Sequence, residues 1–138
     1  MRLAGVGLGA VGAVQLYRAH QAEQRANEIL AIVGDPNAQR ASGPVQGGGS
    51  ATLVVSGPRG VLVTSDVSAL PQDRIYQLWV IRSGQASSAG LGPGGTAAAG
   101  SWTHLVEGLR SGDQVAMSVE PDGGSTQPTT QPVAVLRA

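Results

Sequence analysis

The segment Arg74-Ile75-Tyr76-Gln77-Leu78-Trp79-Val80-Ile81-Arg82 constrains this chain more than any other. Read as a strand, it puts Tyr76, Leu78 and Val80 on one face and Ile75, Gln77, Trp79 and Ile81 on the other. Both faces are largely apolar. Such a strand needs cover on both sides, or a place between two layers. Trp79 is therefore expected in the core.

The residues around that strand tell the same story. From Ala51 onward the chain reads as short β-like runs separated by turns. Thr52–Val55 and Val61–Thr64 flank Ser56-Gly57-Pro58-Arg59-Gly60, a hairpin pattern. Trp102–Val106, Gln114–Val119 and Val133–Leu136 are further strand candidates, with a short one near Ala89-Gly90-Leu91. This spacing predicts a mainly β fold, an antiparallel sandwich over residues 51–138. With no Phe and two Trp, its core is expected to be Val, Leu and Ile packed around Trp79. Residues 35–50 are rich in Gly, Pro, Ala, Gln and Ser and end in Gly47-Gly48-Gly49-Ser50; they read as a flexible linker.

The N-terminal residues 1–34 form a third section. Leu3 to Leu16 is uncharged, and Tyr17-Arg18 follows it. A spanning helix needs ~20 apolar residues, more than this run supplies. It reads as part of a membrane helix, as a signal-peptide core behind Arg2, or as a soluble element. Gln15–Val33 lacks Gly and Pro and reads as a helix continuous with the run, stopped by Gly34 and Pro36. Gly7-x-Gly9-x-x-Gly12 spells a dinucleotide-binding fingerprint, with Asp35 roughly where a ribose-binding acid would stand. Against it, too few residues precede Gly7 for a paired strand, and no βαβ alternation follows.

Composition narrows the chemistry. Net charge is zero and only 13% of residues are charged, so there is no electrostatic footprint for nucleic acid. Cysteine is absent, which excludes disulfides and Cys-based zinc sites. His20 and His104 lie too far apart in sequence to suggest metal ligation, and no nucleophile-elbow pattern surrounds a serine. The residues suggest no catalytic set, metal or cofactor. Trp102 and His104, amid polar neighbours, are a candidate binding surface for a glycan or peptide. Val119-Glu120-Pro121-Asp122-Gly123-Gly124-Ser125 reads as a strand entering a turn in which at least one glycine takes positive φ. Glu120 is expected to accept hydrogen bonds from backbone amides there, or to pair with an Arg.

Tyr76-Gln77-Leu78-Trp79 and Glu120-Pro121-x-Gly123-Gly124-Ser125-x-x-Pro128-Thr129 occur here in one order, after an apolar segment, an Ala-rich charged helix and Asp35-Pro36. This combination resembles the extracytoplasmic C-terminal domain of anti-sigma-K-type factors, single-pass bacterial membrane proteins that hold a sigma factor inactive. The resemblance implies a non-enzymatic regulator. It implies a membrane helix, with residues after about 18 outside the cytoplasm, and regulatory proteases as partners that cut the chain and release the sigma factor. The cytoplasmic sigma-binding domain of that family has no counterpart in these residues, so a sigma factor is implied only through a missing upstream part; a free-standing relative is the alternative. Within the resemblance Tyr76, Leu78, Trp79, Glu120, Pro121, Gly123, Gly124, Ser125, Pro128 and Thr129 are the motif residues, and regulatory cleavage is expected between Arg18 and Ser50.

Overall fold

The computed structural model describes the backbone of residues 2–138, and side chains from residue 12 onward. The chain divides into two compact units, one ending at Ala31 and the other spanning Ile32–Ala138. A single helix, α1, runs Arg2–Val33. Its long Gly- and Pro-free stretch and its Ala, Gln, Glu and Arg content favour helix. Gly34 and Pro36 end it, and the Arg40 guanidinium donates to the Val33 carbonyl at 2.8 Å, satisfying an acceptor the last turn leaves open. Side chains 13–27 are exposed. Among the described residues no helix is long and apolar enough to cross a membrane. Most of the Leu3–Leu16 run lies outside the residues whose side chains are described. The Gly7, Gly9 and Gly12 fingerprint falls inside α1, which corrects the dinucleotide reading. That fingerprint needs a strand and a tight glycine turn ahead of its helix, and here the glycines are themselves helical.

The second unit holds eight strands: β1 (Gln39–Pro44), β2 (Ser50–Ser56), β3 (Arg59–Ser65), β4 (Arg74–Arg82), β5 (Gln85–Gly94), β6 (Thr103–Val106), β7 (Gln114–Pro121) and β8 (Ala134–Arg137). They form two four-stranded sheets, ordered β1-β2-β3-β6 and β5-β4-β7-β8, with every pairing antiparallel. The mainly β, antiparallel expectation holds. Leu53 and Leu62 from the first sheet meet Tyr76, Leu78, Val115, Met117 and Leu136 from the second in one apolar core. These are alternate residues of their strands, as period-2 patterning requires.

Two segments depart from the sequence reading. The linker expected over residues 35–50 is corrected: Gln39–Pro44 pairs with β2 in continuous register, Gln39 opposite Val55 and Pro44 opposite Ser50. Nothing in Gln-Arg-Ala-Ser-Gly-Pro favours a strand by itself. The exposed edge of β2 supplies the pairing groups, and Ala41 and Val45 reach the core. The segment after Arg82 holds not a short strand but the ten-residue β5, which follows β4 with register shifts near Tyr76 and between Leu78 and Trp79. Gly90, at φ 123, takes a backbone conformation that side-chain-bearing residues avoid.

At the end of β4, Arg82 closes the strand onto the loop before β7. Its guanidinium grips Asp113 with two bonds, Nε to Oδ1 at 2.9 Å and Nη2 to Oδ2 at 2.6 Å. The Arg110 amide adds a third donor at 2.8 Å. The Arg82 hydrogen bonds hold the Asp113 carboxyl at about 2, against the burial that would raise it. A carboxylate depressed in the folded state contributes stability above its unfolded value of about 3.9 and loses it as pH falls towards the folded value. Asp113→Asn should therefore lower the urea midpoint at neutral pH. Its gap to the parent should narrow as pH drops from about 4 to about 2. A gap that stays constant with pH would show that charge is not the source.

Candidate functional site

The motif residues divide between the two faces of the second sheet: Tyr76 and Leu78 face the core, while Trp79 and Glu120 lie on the outer face, where Ser125 and Thr129 meet Glu120. Across β4 and β7, Trp79 stands opposite Ala116, Gln77 opposite Ser118 and Ile75 opposite Glu120. These side chains point away from the face that carries Tyr76, Leu78, Val115 and Met117 into the core. An outer face is normally wet, yet Trp79, Ser118 and Glu120 are fully buried and Gln77 is 2% exposed. The cover is the segment 122–133, which joins β7 to β8 and lies over them as a strap.

Glu120 is the hub of the fastening. Its carboxylate accepts from Ser118 Oγ at 2.6 Å, Ser125 Oγ at 2.8 Å, and Thr129 through both Oγ1 at 2.5 Å and the backbone amide at 3.1 Å. Ser118 Oγ in turn accepts from the Trp79 indole at 2.9 Å. Gln77 grips the strap in both directions, donating to the Ser125 carbonyl at 3.0 Å and accepting from the Ser125 amide at 2.8 Å. Thr130 Oγ1 donates to the Val119 carbonyl, and Gln127 Nε2 to the Ala86 carbonyl. Burial alone would raise the Glu120 carboxyl. The hydrogen bonds from Ser118, Thr129 and Ser125 outweigh it and hold the group below its ordinary value. No cation takes part: among the described residues the one ion pair is Arg82–Asp113. An acceptor-only carboxylate suits a pocket that offers only donors.

The turn into the strap needs its glycines. Gly123 and Gly124 lie at φ 91 and 84, and the Gly124 amide donates to the Pro121 carbonyl at 2.9 Å. A Cβ on Gly124 would stand 2.6 Å from Leu91 Cδ2 and 3.1 Å from Gln77 Oε1; one on Gly123 would meet open space. Pro128 restricts Gln127 to extended backbone just before Thr129 reaches Glu120.

Several sequence expectations are refined here. Glu120 does accept a backbone amide, but from Thr129 across the strap rather than from the turn, and no Arg approaches it. Trp79 is buried, but beneath the strap rather than at the centre of the main core, since alternation gives the inner face to Tyr76 and Leu78. The Trp102–His104 surface is turned inward. The Trp102 ring lies 5.8 Å from that of Tyr76 and its indole donates to the Ala98 carbonyl. His104 Nε2 lies 3.0 Å from the Ala89 carbonyl, which can only accept, so Nε2 carries the proton. Gln77, Ser118 and Thr130 belong to the fastening and were not singled out as site residues. The available signal was a polar residue interrupting an apolar run, as in Ile-Tyr-Gln-Leu-Trp and Ala-Met-Ser-Val.

Comparison with known proteins gives this geometry a family. The family described as "Anti-sigma-K factor rskA, C-terminal" matches residues 2–133. The chain belongs to the anti-sigma-K factor C-terminal family. It is 37% identical over 136 residues to the Anti-sigma-K factor RskA of Mycobacterium sp. (strain KMS), covering 97% of this chain and 54% of that protein. To the Anti-sigma-K factor RskA of Mycobacterium tuberculosis (strain ATCC 25177 / H37Ra) it is 35% identical over 134 residues, 95% of this chain and 56% of that one. To the "Uncharacterized protein in phr 5'region" of Streptomyces griseus it is 32% identical over 122 residues, 86% of this chain and 50% of that protein. The chain thus spans about half the length of the curated relatives it matches. No solved structure matches it. The anti-sigma-K match takes in α1, both sheets and all of the strap up to the start of β8.

Three substitutions test the fastening. Trp79→Ala should destabilise the Ile32–Ala138 unit by about 3–5 kcal/mol, as truncation of a buried Trp generally does. Gly123→Ala should lose roughly 1 kcal/mol from positive φ alone, and Gly124→Ala more, because its Cβ also meets Leu91. Urea melts of the three variants decide it, and equal midpoints for the two glycine variants would refute the turn geometry.

Proposed function

We propose that this chain is the extracytoplasmic regulatory domain of an anti-sigma factor. In this reading it carries no enzymatic activity of its own and controls release of a sigma factor through regulated proteolysis. The observation that carries the reading is the family match across residues 2–133, which runs through helix, sheets and strap alike. The curated relatives named Anti-sigma-K factor are about twice as long as the matched region. The sigma-holding part is assigned to the portion of such proteins that these residues do not cover. The apolar run Leu3–Leu16, followed by Tyr17 and Arg18, supports insertion at a membrane interface, with the Ile32–Ala138 unit on the outer side.

Physical chemistry supports a cleavable N-terminal segment. Side chains 13–27 of α1 are exposed, so that stretch has little beyond its own backbone bonds to hold it. In proteins most helical stability comes from tertiary packing of an apolar face, which an exposed stretch lacks. A protease needs extended backbone, and such a helix opens locally far more readily than a packed sheet.

The absence of cysteine makes the topology directly testable. Ser111→Cys, at an exposed loop position, should react with a membrane-impermeant maleimide in intact cells that express the chain. Labelling seen only after lysis would overturn the extracytoplasmic assignment. Deleting the gene in its source bacterium should raise transcription from promoters of the sigma factor it restrains; an unchanged transcript profile would overturn the regulatory one.

A further inference from the structure

The fold attaches its N-terminal segment through an edge strand of mostly small and polar residues. β1 lies at the edge of the first sheet and pairs only with β2. Its sequence, Gln-Arg-Ala-Ser-Gly-Pro, contains no β-branched or aromatic residue, and its burial alternates between exposed and half-buried positions. Ala41 is its sole side chain packed on the core, with Val45 just beyond the strand end. Gly43 adds only a backbone approach to Leu136. The further ties of residues 35–50 are polar: Ser42 Oγ to Thr52 Oγ1 at 2.8 Å, Asp35 to Ser56, Arg40 to the Val33 carbonyl, the Gln46 amide to the Val133 carbonyl at 2.9 Å, and Ser68 Oγ to the Gly47 carbonyl at 2.8 Å. β1 is bounded by Gly34-Asp35-Pro36 on one side and Gln46-Gly47-Gly48-Gly49 on the other, both easily rearranged. The other strands of that sheet carry Leu53, Leu62 and Val106 in the shared core.

We propose that β1 is a releasable strand, and that its release turns residues 35–50 into the substrate of the protease that cuts this chain. Detached, the segment is extended, rich in small residues and unprotected, the form in which protease clefts accept a polypeptide. Hydrolysis there adds water across one peptide bond, hydroxyl to the carbonyl carbon and hydrogen to the amine nitrogen. It would separate the Ala51–Ala138 sheets from α1. While β1 is paired, the same bonds are held in the sheet. The regulated variable is thus the pairing of one strand, and a partner that favours or opposes that pairing sets the cleavage rate. This rests on the proteolytic reading above.

Hydrogen exchange on the full chain tests the opening. Amides of residues 39–44 should exchange at least about tenfold faster than those of β4 and β7, as expected of a unit that opens below the global unfolding free energy. Equal rates would mean that β1 leaves only when everything unfolds, and would overturn the proposal. A crosslink tests the gating. Ser42 and Thr52 are register partners, and a disulfide in Ser42→Cys/Thr52→Cys would be the only one in a cysteine-free chain. Trypsin cleavage after Arg40 should slow at least about tenfold in the oxidised form and recover with reductant. Cleavage at the same rate in both forms would overturn the proposal. The fragment produced in cells then locates the site. A new N-terminus within residues 35–50 supports it. A new N-terminus elsewhere overturns the strand-release site and leaves regulated proteolysis standing, and no fragment at all overturns both.

Discussion

β4 is buried on both faces, and the rest of the Ile32–Ala138 unit answers that demand. A strand with two dry faces must find two covers. On one side the first sheet supplies Leu53 and Leu62 against Tyr76 and Leu78. On the other lies a strap of mostly polar and small residues from Asp122 to Val133. Such a segment cannot hold itself down by burying apolar surface. It is held instead by hydrogen bonds to buried groups of the sheet, Glu120 and Gln77. A buried acceptor left without donors is unfavourable by roughly 1–3 kcal/mol, more when charged. Strap and hub therefore depend on each other: the strap dries the hub, and the hub's need for donors keeps the strap in place. No buried side-chain polar atom among the described residues lacks a partner.

How much of this could be read beforehand follows from where the information sits. β4, the β2–β3 hairpin, β7 and the end of α1 at Val33 were legible because hydrophobic period, turn residues and stop signals all lie within the segments themselves. β1 and β5 were not. Their residues are small, polar or glycine, and they become strands only because β2 and β4 present unpaired edges beside them. The same division runs through the fastening. That Glu120 serves as an acceptor was legible in its setting. That Ser125 and Thr129 would be its donors was not, because that depends on how the strap folds back. That Trp79 is dry was legible in the pattern; which side of the sheet keeps it dry was decided by Tyr76 and Leu78 taking the core.

The two ends of the Ile32–Ala138 unit are secured by different chemistry. At one end, an ion pair between Arg82 and Asp113 ties β4 to the loop before β7. At the opposite end the Glu120 cluster works without any cation. Both rest on carboxylates held ionised below their ordinary range, so acid weakens both. Salt separates them: a guanidinium partly open to solvent is screened, whereas hydroxyl and amide donors to a buried carboxylate are not.

The placement of β5 carries one more consequence. A ten-residue strand at a sheet margin, built of alanine, serine and glycine, is a natural template for a neighbouring molecule's strand. Here two of its carbonyls are already occupied, Ala86 by Gln127 and Ala89 by His104. The imidazole and the amide leave an approaching strand fewer acceptors to pair with, so this margin is a poorer template than its length suggests.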